Sequence, residues 1–89
     1  MVEIVYSSQF KKDFKKARKL PLSELKAIFD VISALERGEV LDEKFKDHEL
    51  TGNWANYREC HIKPDLLLIY RLEDSILKLA RLGSHSELF

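Results

Sequence analysis

Residues 57–82, "YRECHIKPDLLLIYRLEDSILKLARL", decide the fold. Residues 57–62 alternate in character, as in a strand with one covered face, and residues 66–72 are apolar almost throughout, as in a central strand covered on both. Residues 75–82 read as a third strand. Lys63-Pro64-Asp65 and Glu73-Asp74 supply the connections, because Pro presets a turn dihedral and Asp tolerates tight bends. A two-residue turn at Glu73-Asp74 sets Leu72 opposite Ser75, Tyr70 opposite Leu77, and Leu66 opposite Arg81.

Before this sheet lie two helical patterns. "VEIVY", residues 2–6, is a β-branched run and reads as a strand, after which Ser7 or Ser8 caps a helix. In that helix Phe10, Phe14 and Ala17 form one apolar stripe, while Lys11, Lys12, Lys15, Lys16, Arg18 and Lys19 spread over the rest. Pro21 interrupts it. A second helix over residues 22–37 turns Leu22, Leu25, Ile28, Phe29, Ile32 and Leu35 to the core, and Gly38 ends it. Residues 39–56 keep no period and read as an ordered loop anchored by Val40, Leu41, Phe45, Leu50 and Trp54. The fold class is α+β: two helices packed on a small, mostly antiparallel sheet, in the order β-α-α-β-β-β, with residues 1–89 as a single domain.

The 89 residues, 45% hydrophobic, suffice for one core, since a chain of this size buries only about 60–65% of its unfolded surface. The first ten residues, "MVEIVYSSQF", lack a basic segment followed by a long apolar run, and no stretch approaches the ~20 apolar residues that cross a bilayer. The single cysteine, Cys60, has no partner in the chain, which fits a reducing cytoplasm. Net charge is zero, but residues 10–19 hold six basic residues and one acid, Asp13, whereas residues 20–49 hold eight acids against four basic residues. The total gives no general attraction to nucleic acid; a local cationic face can still supply one, while the plain reading of such a run is a solvated helix face.

Chemistry collects at one end of the sheet. Period-two geometry puts Tyr57, Glu59 and His61 on one face and Arg58, Cys60 and Ile62 on the other, so Cys60 and His61 cannot pair as nucleophile and base. The expected register brings His61, Asp65 and Arg81 to a shared end, and the tail "GSHSELF" leaves from there with His85. The loop carrying His48 enters just before Tyr57. Imidazoles suit both proton transfers in cleaving RNA through its own 2′-hydroxyl, and a guanidinium suits the phosphorane charge. The same side chains are also zinc donors, although no i,i+4 histidine pair or CxxC accompanies them.

"KDHEL", "TGNWANYRECHIKPDLLLIY" and "RLGSHSELF" resemble the YafQ branch of the RelE-type toxins of bacterial type II toxin–antitoxin pairs. The likeness covers the whole chain in layout and is most specific over residues 45–89. It implies a RelE-like fold and a metal-independent messenger-RNA endonuclease with no cofactor, acting in the decoding site of a translating ribosome. It also implies inhibition by a ribbon-helix-helix antitoxin, with the toxin monomeric when free and part of a larger complex when inhibited. Carried over by position, His48 is the general base, His85 the general acid and Arg81 the phosphate clamp, with His61 and Asp65 orienting them. Phe89 and the basic face of Lys11, Lys12, Lys15 and Lys16 contact RNA. Two alternatives share the fold: a ParE-like toxin that binds DNA gyrase, and an inactive relative that only binds the antitoxin.

Overall fold

Ser7 decides how the chain leaves its first strand. Its hydroxyl accepts from the Phe10 amide at 2.9 Å and donates to the Ala80 carbonyl at 2.7 Å, capping a helix and tying it to a strand at once. The computed structural model of the protein describes residues 2–89. Strand β1 (Glu3–Tyr6) precedes α1 (Ser8–Ala17) and, past Pro21, α2 (Leu22–Glu36). A 3-10 turn (Glu43–Phe45), β2 (His48–Glu49) and a second 3-10 turn (Gly52–Trp54) lead to β3 (Arg58–Lys63), β4 (Leu66–Glu73), β5 (Ile76–Gly83) and α3 (His85–Leu88). One sheet forms in the order β1-β5-β4-β3-β2, parallel only where β1 meets β5.

The expected architecture is observed, with β2 and α3 added. Strand β4 is buried from Leu66 to Tyr70, as its apolar run requires. Leu66, Leu68 and Tyr70 pack under the helices with Phe10, Ile28, Val31, Leu35, Cys60, Leu77, Leu79 and Leu82. On the other face Leu67 and Ile69 join Ala80 and Leu88, roofed by Leu50, Trp54 and Tyr57. That second cluster exists because α3 and the Gly52–Trp54 turn fold back over the sheet. Segment 39–56 is thus more regular than its sequence suggests.

Three expected core side chains and the last hairpin register depart from expectation. Leu22, Phe29 and Val40 are exposed. In α2 the buried stripe is Ile28, Val31, Ile32 and Leu35, spaced i, i+3, i+4 and i+7, which leaves Phe29 about a hundred degrees off axis. Phe29 packs instead against Phe14, with ring centres 5.8 Å apart and planes tilted by 58°. The β4–β5 hairpin turns at Asp74-Ser75, with Glu73 opposite Ile76 and Leu72 opposite Leu77. Both turn residues have positive φ, 51° and 64°, the twist-matched geometry of a two-residue hairpin loop. This turn, together with a one-residue register shift between Ile69 and Tyr70, sets Arg81 opposite Ile69, not Leu66.

The turn yields a direct test. A side chain in the left-handed region costs about 1–2 kcal/mol, partly offset by glycine's larger entropy loss on folding. Ser75→Gly is expected to raise stability by roughly 0.5–1 kcal/mol in urea unfolding. A loss of stability would mean that the Ser75 side chain makes an interaction outweighing that strain.

Candidate active site

Directly paired residues in a sheet project to the same side. His48 pairs with Glu59, Glu59 with Ile69, and Ile69 with Arg81; the next row is His61, Leu67 and Gly83. Both rows lie on the face away from α1 and α2, since Leu67 and Ile69 belong to the second cluster. A β-bulge makes this possible for Arg81. Ala80 is the extra residue between the Tyr70–Leu79 and Ile69–Arg81 pairs, so Leu79 and Leu82 both face the helices while Arg81 leaves its strand on the other side, with its guanidinium drawn back to Asp13 of α1.

Glu59 organises the near end of these rows. It is 6% exposed, and its Oε1 lies 3.3 Å from His61 Nε2 and 3.7 Å from His48 Nε2. The two imidazole centres are 6.4 Å apart. His48 Nδ1 sits 2.6 Å from the Lys46 carbonyl, which can only accept, so the neutral ring carries its proton there and keeps the Nε2 lone pair toward the site. Next door, Asp47 accepts from Tyr70 Oη at 2.7 Å and from Arg58 Nε at 3.0 Å, fastening the loop that presents His48. Burial and the Asp47 bond push the Tyr70 hydroxyl well above its ordinary range.

At the far end Arg81 is gripped from α1. Its Nε donates to Asp13 Oδ2 at 2.8 Å and its Nη2 to Oδ1 at 3.4 Å, while the Leu82 amide donates to Oδ2 at 3.0 Å. Burial alone would raise the Asp13 carboxyl, but the bonds from Arg81, Leu82 and Gln9 together hold it below the usual carboxylate value. A depressed native pKa adds stability above the unfolded value, near 3.9, and loses it as pH falls through the native value. Asp13→Asn is therefore expected to be less stable than wild type by about 1.5–3 kcal/mol at pH 7, with the gap closing from about pH 4 downward. Thermal unfolding at stepped pH reads this; a gap constant down to pH 2 would refute it.

Asp65 Oδ1 accepts from the His85 amide at 3.2 Å, so the β3–β4 turn holds the start of α3. Ser84 caps that helix with a reciprocal Glu87 bond. The His85 ring is exposed and packs on Phe89, centre to centre 5.2 Å, with Phe89 itself half exposed. Lys11, Lys12, Lys15 and Lys16 are all exposed on α1, and Lys16 lines a cleft with Asp65 and Ser84. His61 also edges a groove of about 690 Å³ beside Lys44, Lys46 and Lys63. Cys60 is fully buried on the helix side, and burial pushes its thiol up to about 12, which removes it as a nucleophile at neutral pH. Among the described residues no group of three or more His, Cys, Asp or Glu side chains is placed to hold a metal ion.

The structure thus joins His48 to His61 and Asp65 to His85, and sets Arg81 in the His48 row three strands away. Sequence reasoning missed two members. Alternation places Glu59 on the correct face but does not show it as the hub of two imidazoles. Asp13 reads as the one acid of a basic run, although it falls at i+3 from Phe10 on the apolar stripe.

Residues 2–89 match the family model described as the bacterial toxin of type II toxin–antitoxin system, YafQ. The chain belongs to this family. Among YafQ relatives, the messenger-RNA interferase toxin YafQ of Escherichia coli strain K12 is 38% identical over 89 residues, covering 98% of this chain and 95% of its own. A metal-bound toxin from Helicobacter pylori is 44% identical with a TM-score of 0.88, each chain covered fully. YafQ in the E. coli DinJ–YafQ complex is 37% identical with a TM-score of 0.82, over 100% of this chain and 99% of that one.

Proposed function

We propose that the protein is the toxin of a type II pair and a metal-independent endoribonuclease, cutting messenger RNA in the decoding site of a translating ribosome. The observation that carries this reading is the Glu59-centred pair of imidazoles on the open sheet face, in line with Arg81. His48 Nε2 takes the proton of the substrate's 2′-hydroxyl, whose oxygen then attacks the adjacent phosphorus. The P–O5′ bond breaks, and His85 gives its proton to the departing oxygen. Each transfer contributes roughly 10²–10⁴-fold. Arg81 stabilises the charge on the phosphoryl oxygens, an effect of about 3–4 kcal/mol when such a donor is lost. Glu59 stabilises the imidazolium that His48 becomes on taking this proton, His61 tunes that carboxylate from its other side, and Asp65 holds the backbone that carries His85.

His61 and Gly83 stand two strand spacings apart, about 10 Å, a gap that a ribose and its phosphate bridge between the two histidine groups. Phe89 stacks on a base, and Lys11, Lys12, Lys15 and Lys16 meet ribosomal RNA phosphates. A ribbon-helix-helix antitoxin in the cytoplasm is the inhibiting partner; the E. coli DinJ–YafQ toxin–antitoxin complex of a relative supports an antitoxin partner as such.

Mapping messenger 5′ ends after brief expression tests this reading. Cuts clustered in phase with the reading frame are expected; intact messages with stalled DNA supercoiling would replace it with gyrase binding. A chelator arm belongs in the experiment because a relative has been crystallised with metal. Cleavage is expected to persist in EDTA, and its loss, restored by added metal, would overturn the metal-independent mechanism.

A further inference from the structure

Asp13 is 7% exposed, and it is the sole acid among the ten residues of α1. Burying a carboxylate is costly unless donors replace its water; besides Gln9 on the same helix, the donors here are Arg81 and Leu82 of β5, 68 and 69 residues away in sequence. One oxygen, Oδ2, takes both Arg81 Nε and the Leu82 amide. The plane of the guanidinium is thereby fixed against the backbone of the very next residue. The sheet register sets only where the Arg81 side chain begins; its several rotatable bonds leave the fork free to swing unless something holds it. Asp13 engages Nε and Nη2, while Nη1 makes no hydrogen bond among the described residues.

The pair also lies beside the reacting end of the molecule. Asp13 lines a cleft of about 510 Å³ with Lys16, Lys63, Asp65, Gly83 and Ser84, the last two of which lead into the His85 turn. A guanidinium already paired with a carboxylate draws a distant phosphate less strongly than a free one. What it retains is direction: N–H groups aimed at a fixed point, which favours charge developing in the transition state over ground-state binding.

Resting on the nuclease reading, we propose that Asp13 is a positioning residue for cleavage, acting through Arg81 and touching no substrate itself. Its loss lowers the rate of the bond-breaking step more than it weakens binding. A misplacement of about 1 Å can cost on the order of 10²-fold, so Asp13→Asn is expected to slow single-turnover cleavage of a message on purified translating ribosomes by about 10–100-fold, with the half-saturating concentration changed less than about threefold.

The decisive comparison is a double-mutant cycle. In an Arg81→Gln background Asp13→Asn is expected to change the rate by less than about twofold. In parallel, the Arg81 Nε–H proton resonance, slow to exchange in wild type, is expected to exchange rapidly in Asp13→Asn. Equal slowing in both backgrounds would make Asp13 a purely structural residue and overturn the proposal, as would an Arg81→Gln variant that cuts like wild type. In either case the nuclease reading survives, whereas wild-type toxin that leaves the message whole removes both. If Asp13→Asn does not fold by circular dichroism, Asp13→Glu replaces it. That variant keeps the charge and moves it by one methylene, and the same background comparison decides.

Discussion

Replacing His85 by alanine is expected to slow message cleavage by about 10²–10⁴-fold while leaving the fold and antitoxin binding intact. The imidazole is exposed and packs on the half-exposed Phe89, so little packing is lost. The contact that anchors this turn uses the His85 backbone amide and Asp65, and alanine retains it. Stability should stay within roughly 0.5 kcal/mol of wild type, as for other surface changes. The comparison with His48 and His61 is informative, because both of those rings lean on Glu59 and neither can be removed without disturbing the other. Cleavage in a translation extract, read alongside a melting curve, separates the outcomes. A His85→Ala protein that cuts as fast as wild type would eliminate His85 as the acid.

The largest expected effect on stability is at Leu68. It is fully buried at the middle of β4, opposite Cys60 and Leu82, and faces the core beneath the helices. Leu68→Ala removes three carbons from a place where a sheet flanked by neighbours on both sides cannot collapse inward. The cost is about 2–5 kcal/mol, against a total near 5–15 kcal/mol for a domain of ordinary stability. The melting temperature should fall by about 10–30 °C. A drop of only a few degrees in scanning calorimetry would show that the core repacks around the void. Because Leu68 lies on the helix side, the imidazole face should keep its activity per folded molecule.

Much of this was readable from residues alone. The apolar run of β4, the alternation of β3 and the Ser7 cap each follow from local chemistry that tertiary packing did not contradict. The opposite directions of Cys60 and His61 also hold, since Cys60 belongs to the helix-side core and His61 pairs with Leu67 on the other face. The register of the last hairpin did not follow, because Glu73-Asp74 and Asp74-Ser75 are both plausible turns and only strand twist selects the second. A cue was nonetheless present: Leu77, Leu79 and Leu82 share the core, and their spacing changes from two to three where Ala80 bulges. The site was harder to read. Glu59 becomes a hub only when β2, two residues long, brings His48 alongside β3, and no period announces so short a strand.

The pairing of β1 with β5 joins the two extremes of the chain, Glu3 to Ile76 and Tyr6 to Leu79. During synthesis the N-terminal strand and α1 emerge first and wait for a neighbour that is made last. Contacts so distant in sequence form slowly, and here they cannot form at all until β5 has left the ribosome. The candidate site is therefore the last part of the molecule to take shape: Arg81 meets Asp13, and the rim closes, only after the message encoding both has been read.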